Sequence, residues 1–129
     1  MFTLATVAIS FAASSDNVAR VSTMELKEMI DSGQPLIIVD NRPGNDYNLQ
    51  RIKGAISLPW AMDVTATAKK ILPQGKLIIT YCACGPGESD SADVAAQLLN
   101  SGFKNVKTLK DGWEAWEAAK YPVEKGKRK

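Results

Sequence analysis

The sequence contains no histidine. That absence removes the Ser-His-Asp triad, the Cys-His pair, the His-Glu-x-x-His helix of metalloproteases and nearly every catalytic zinc site. Cysteine is almost as scarce. There are 2, at positions 82 and 84, too few for a four-cysteine zinc site or a disulfide framework. The sequence therefore implies no metal and no cofactor. A surplus of one charge is missing too. The 16 Lys and Arg against 14 Asp and Glu leave +2, which argues against nucleic acid as a partner. No apolar run reaches the ~20 residues of a spanning helix, so no membrane span is expected. Any catalysis must rest on cysteine, carboxylates, lysine, arginine or backbone groups.

What remains is an ordinary folded composition. The chain has 129 residues, 45% hydrophobic and 23% charged, enough for one domain with a real core. Residues 18–125 carry the helix and strand patterns. Before them, residues 1–17 open on the uncharged stretch MFTLATVAISFAA. This stretch resembles the apolar core of a truncated secretory signal, with Ser10 and Ala12 as small residues at a cleavage position, although the basic start of a signal is missing. Export, to the periplasm for instance, is favoured over a cytoplasmic location. The alternative is a segment that packs on the domain or on a partner chain. At the other end, residues 126–129 form a basic tail expected to be solvated.

Ser22 and Glu25 have capping-box spacing, and Leu26, Met29 and Ile30 follow at helical intervals, which predicts a helix over 23–31. Leu36-Ile37-Ile38-Val39 reads as a strand buried on both faces. The segment 40–44 is turn chemistry. A short strand over 55–58, a helix over 65–71, a strand over 77–81, a helix over 91–100 and a strand over 106–109 follow. Trp113 and Trp116 lie on a last helix that ends before Pro122. Alternating strands and helices imply an α/β fold of three layers, a central parallel sheet flanked by helices. In such sheets ligands bind beyond the carboxyl ends of the strands.

Beyond the strand 77–81 stands Tyr81-Cys82-Ala83-Cys84-Gly85-Pro86-Gly87-Glu88-Ser89-Asp90-Ser91. Both cysteines are here. Cys84 opens a Gly- and Pro-rich loop that runs into a helix N-terminus, which Asp90 or Ser91 can cap. Unpaired amides of the first helical turn and the positive end of the helix dipole favour a thiolate at Cys84. Small loop residues leave backbone N–H groups free to cradle an anion. Glu88 and Asp90 oppose this if they point inward and support the cap if they point outward. Cys82, two residues back on the strand end, reads as a buried structural thiol. Its functional reading is a disulfide with Cys84, or attack on a persulfide there, against which strand-end geometry is expected to hold the two sulfurs apart.

With these residues on the page, the chain resembles a single-domain rhodanese-like sulfurtransferase from about Val21 to Glu124. Val39-Asp40-Asn41-Arg42, Tyr47 and Ile52-Lys53-Gly54-Ala55-Ile56 are similar to the family's D-x-R, E-Y and G-H-I-x-G-A pattern. The loop 81–91 followed by Ala92, Ala95, Leu98 and Gly102-Phe103, then Leu109-x-x-Gly112-Trp113-x-x-Trp116, complete the likeness. The resemblance implies that Cys84 takes a sulfane sulfur from a small donor as a persulfide and passes it to a thiol acceptor. The loop Gly85 to Ser91 would hold the anion. It also implies a structural ion pair between Asp40 and Arg42 near the strand end, with Cys82 and Gly112 supporting the site. Trp60 either walls the site's mouth or belongs to the core.

The chain departs from the pattern at three places. Gln50-Arg51-Ile52 stands for Gly-His-Ile, and Asp111-Gly112 for a Gly-Gly pair. The loop from Cys84 to Asp90 is one residue longer than in the family's sulfurtransferases and equals that of related phosphatases. Those enzymes need an arginine six residues after the cysteine, where this chain has Asp90 (after Cys84) or Glu88 (after Cys82). Phosphatase chemistry is rejected on that ground. No Arg or Lys lies in the loop to attract thiosulfate, so a protein persulfide, a small persulfide or a polysulfide is the expected donor. Two other readings stand beside the enzyme: a catalytically silent module that binds a partner or carries sulfur, and a Cys82/Cys84 dithiol redox protein.

Overall fold

The structure, a computed structural model, describes residues 2–6 and 11–128. Ser10 and its proposed cleavage position lie outside them. In chain order the elements are β1 (Arg20–Val21), α1 (Thr23–Asp31), β2 (Leu36–Asp40), α2 (Gly44–Leu49), β3 (Gln50–Ile52), β4 (Ile56–Ser57), α3 (Thr65–Ile71), β5 (Leu77–Tyr81), α4 (Ser89–Asn100), β6 (Val106–Leu109), α5 (Gly112–Ala118) and β7 (Val123–Lys125). Five strands form one parallel sheet in the order β1-β6-β5-β2-β4. The three-layer α/β architecture is the expected one.

The local signals act as their chemistry requires. Ser22 Oγ accepts from Glu25 N at 3.0 Å, and Glu25 Oε2 accepts from Ser22 N at 3.4 Å, so the capping box starts α1. All of β5 is buried because helices cover both its faces. Its residues alternate between two cores. Ile78 packs with Val39, Val94 and Leu98 on the α3/α4 side. Ile79 and Tyr81 pack with Leu26, Leu109 and Trp116 on the α1/α5 side.

Four elements escape the sequence patterns. β1 is two residues long, and α2 sits where turn chemistry was read. β3 and β7 pair antiparallel as a separate two-stranded sheet, with Ile52 opposite Val123. Segments this short carry no measurable periodicity. α4 begins at Ser89, two residues before the expected start. Residues near both ends of the described chain make hydrogen bonds to the domain. Ala13 exchanges two hydrogen bonds of 2.9 Å with the Asn100 side chain, while Phe2, Leu4 and Phe11 are exposed. Arg128, read as part of a solvated tail, donates to Ala55 O at 2.9 Å, and Arg51 donates to Gly126 O at 2.8 Å. Among the described residues no helix is long and apolar enough to cross a membrane.

Candidate active site

β5 carries the chain to the carboxyl edge of the sheet and releases it at Cys82. Because successive strand residues face opposite sides, Cys82 turns toward α4 and Tyr81 toward α5. Cys82 is 1% exposed. Its sulfur lies 3.4 Å from Ser91 N, which donates to it, and 3.4 Å from Ser91 Oγ. Behind Ser91 is a closed hydroxyl network. Ser91 Oγ is 2.7 Å from Thr108 Oγ1, Thr108 Oγ1 donates to Thr80 O, and Thr80 Oγ1 donates to Ser91 O. The first-turn amide of α4 that the sequence reading assigned to Cys84 thus reaches Cys82. The sulfur fills the capping role, since α4 has no side-chain cap; its N-cap is Glu88, not Asp90 or Ser91.

Cys84 is partly exposed and opens the loop. The chain bends at Ala83, bringing the Cα atoms of Cys82 and Cys84 to 5.6 Å, and the two sulfurs are joined as a disulfide. The strand end therefore does not keep them apart. Beyond Cys84, Gly85 (φ 69°) and Gly87 (φ 98°) take left-handed conformations on either side of exposed Pro86. Ser89 is exposed and Asp90 partly so, in the first turn of α4.

Glu88 points neither at the thiol nor at the helix cap. It is itself left-handed (φ 46°) and only 4% exposed. Its Oε2 pairs with Arg20 Nε at 3.2 Å, and its Oε1 accepts from Gly87 N at 3.1 Å and Asp111 N at 3.0 Å. One of the loop's two carboxylates is thereby neutralised and used as a brace between β1, the loop and α5. Arg20, which the sequence reading missed, also donates to Gly87 O, Ser15 O and Val18 O. Nothing in the local sequence signals Arg20, because its partner is 68 positions away.

The supporting residues divide between the sheet's faces. Asp40 (0% exposed) and Arg42 (6%) form the expected ion pair, with Arg42 Nη2 2.7 Å from Asp40 Oδ2. Tyr81 Oη donates to the same oxygen at 2.5 Å and accepts from Ile52 N. Arg42 also lies 4.3 Å over the Trp113 ring. Burial first, then the Asp40 charge, pushes the Tyr81 hydroxyl far above its ordinary value. Gly112 is required where it stands. A Cβ there would lie 2.1 Å from Cys82 O, and the adjoining Trp113 N donates to that carbonyl at 2.9 Å. Asp111 takes φ 60° where the family pattern has glycine, a conformation that Asp tolerates better than most residues. Trp60 is 43% exposed, and its indole donates to Asp93 Oδ2 of α4 at 2.8 Å, so it lies outside the core.

The arrangement offers one partly exposed cysteine, one enclosed sulfur supplied with a donor, and a hydrogen-bonded frame around both. Comparison with known proteins gives the following. The profile of the rhodanese-like domain matches residues 22–119. Over 101 residues the chain is 30% identical to "Thiosulfate sulfurtransferase GlpE" of Coxiella burnetii, covering 77% of this chain and 87% of that protein. It is 28% identical over 102 residues to "Probable adenylyltransferase/sulfurtransferase MoeZ" of Mycobacterium tuberculosis, covering 79% of this chain and 25% of that protein. The chain thus spans about a quarter of the length of several curated relatives. The crystal structure of BH2092 from Bacillus halodurans superposes with a TM-score of 0.74 at 32% identity, over 85% of this chain and 79% of that one.

Proposed function

The chain belongs to the rhodanese-like family, and from that premise we propose that it moves a sulfane sulfur through a persulfide on Cys84 to a thiol acceptor. The observation that carries this reading is the position of Cys84. Of the two sulfurs beyond β5, it is the one within reach of solvent. In the reduced form a donor's outer sulfur is attacked by the Cys84 thiolate and the donor leaves. The persulfide anion then sits at the N-terminal end of α4, a 12-residue helix whose dipole favours negative charge. The Glu88–Arg20 pair takes one repelling carboxylate out of the balance. With no basic side chain between residues 84 and 91, a small persulfide, a polysulfide or a protein persulfide suits the loop better than the thiosulfate dianion.

The Cys82–Cys84 bond favours a second reading, a dithiol redox protein that cycles between disulfide and dithiol. One experiment separates the two. The reduced full chain is exposed in turn to glutathione persulfide, polysulfide and thiosulfate, and its intact mass is read. A single added sulfur, removed by cyanide and absent from Cys84→Ser, is the expected result. No sulfur from any donor on the wild type or on Cys82→Ser, which cannot expel hydrosulfide by closing the disulfide, overturns the transferase reading in favour of the redox protein.

A further inference from the structure

The two sulfurs of the pair are not equivalent. Cys82 is enclosed by Ser91 and by the Thr80–Thr108 hydroxyl network, and Cys84 is open. In thiol–disulfide exchange the reachable sulfur is attacked, and the sulfur whose thiolate is better stabilised departs faster. Both conditions select the same direction here. An incoming nucleophile meets Cys84. The departing Cys82 thiolate finds a helix first-turn amide already donating to it, and 3.4 Å away the Ser91 hydroxyl, whose hydrogen rests on Glu88 O or Thr108 Oγ1 and can turn onto the new charge.

We propose that the oxidised pair takes up hydrosulfide directly and so generates the Cys84 persulfide without a sulfane donor. This deepens, and rests on, the reading that Cys84 carries the sulfur. The hydrosulfide sulfur forms a bond to Cys84 Sγ as the Cys82–Cys84 bond breaks. The electron pair of the broken bond leaves on Cys82 as its thiolate. The products are a Cys84 persulfide, which loses its proton to solvent, and a Cys82 thiolate. The disulfide is the oxidant, hydrosulfide is oxidised, and atoms and charge balance. Renewed uptake after the sulfur is passed on requires exchange of the dithiol with an external disulfide. Hydrosulfide suits a loop that lacks Arg and Lys, because it is small and singly charged and needs no cationic clamp. Ser91 is the positioning residue of this step, acting through Cys82.

The test uses the full chain in its disulfide form, without oxygen, mixed with sodium sulfide from equimolar to moderate excess. Intact mass and, after alkylation, fragmentation of the peptide holding both cysteines are read. The expected product gains one sulfur and two hydrogens, with the extra sulfur on Cys84. Ser91→Ala slows uptake roughly tenfold, the effect of losing one hydrogen bond to a charged group. It also moves the pH profile of the reverse step, release of hydrosulfide from the persulfide, to higher pH, and Ser91→Thr restores both. Extra sulfur on Cys82, bare reduction at every sulfide ratio, or no reaction overturns the proposal. The dithiol form of the same protein is challenged in parallel with glutathione persulfide. If it loads while the disulfide ignores sulfide, the inference falls and the transferase reading stands. If it does not load while sulfide uptake proceeds, the transferase reading falls instead.

Discussion

Tyr81 and Cys82 are adjacent in sequence and end on opposite faces of the same strand, in environments of opposite kind. On the α5 side, Tyr81, Asp40 and Arg42 form a sealed cluster. The carboxylate is met by a guanidinium, a backbone amide and a phenol, and the guanidinium is covered by Trp113. On the α4 side, the Cys82 sulfur meets Ser91 and is bonded to Cys84, and the chain leads out to solvent. Both faces stand at the carboxyl edge where such sheets place their sites. The difference teaches that buried charge here braces one face of the edge, while the other face carries a pair of sulfurs that, joined as a disulfide, hold no charge. The brace is asymmetric because an uncompensated buried charge is costly and a sulfur is not.

The comparison can be broken most forcefully at Asp40. Asp40→Ala leaves Arg42 buried without its partner and should lose about 3 to 5 kcal/mol in urea unfolding. Cys84→Ser on the other face should stay within about 1 kcal/mol in the reduced protein. A loss of similar size at both would mean that the two faces are not separate in kind. Gly112→Ala comes next, at about 3 kcal/mol, because its methyl group overlaps the Cys82 carbonyl and its backbone is left-handed. Equilibrium denaturation checks it, and an unchanged midpoint would refute the close approach.

Glu88→Gln weakens the brace between β1, the loop and α5 and should cost roughly 2 kcal/mol, the range of hydrogen bonds to charged groups. Paired with Arg20→Met, the double variant should lose less than the sum, since the two changes remove one interaction. Full additivity would show that Glu88 acts through its amide contacts alone. The smallest expected effect is alkaline. Tyr81 ionises far later in the folded chain than at the ~10 of an unfolded tyrosine. Above that pH the unfolded state binds fewer protons than the native state, so stability is full below about pH 10 and falls as pH rises. Tyr81→Phe should flatten that slope while lowering stability at neutral pH, as read from urea midpoints between pH 8 and 11.

The main elements were legible because their signals are local. The buried run Leu77–Tyr81 and the capping box at Ser22 and Glu25 each specify their element from a few adjacent residues. The short pieces were not. β3 and β7 are three residues each and are strands only because they find one another across the fold. The candidate site shows the same division. Cysteine content, the position after a buried strand and the Gly-Pro-Gly loop marked Cys84 from sequence. The alternation of side chains along β5 does place Cys82 on the α4 face, yet it does not say which sulfur the helix amide meets.

By itself, then, the sequence determined the α/β class and singled out the sheet edge and the cysteine proposed to carry the chemistry. Periodicity, capping and composition act over a few residues, and the chain states them outright. Only the tertiary structure decided that Cys82 receives Ser91, that Glu88 turns away to Arg20, and that Gly112 lies against the Cys82 carbonyl. Those contacts join residues 9, 68 and 30 positions apart, and such pairings exist only once sheet order and register have brought distant backbones to one edge.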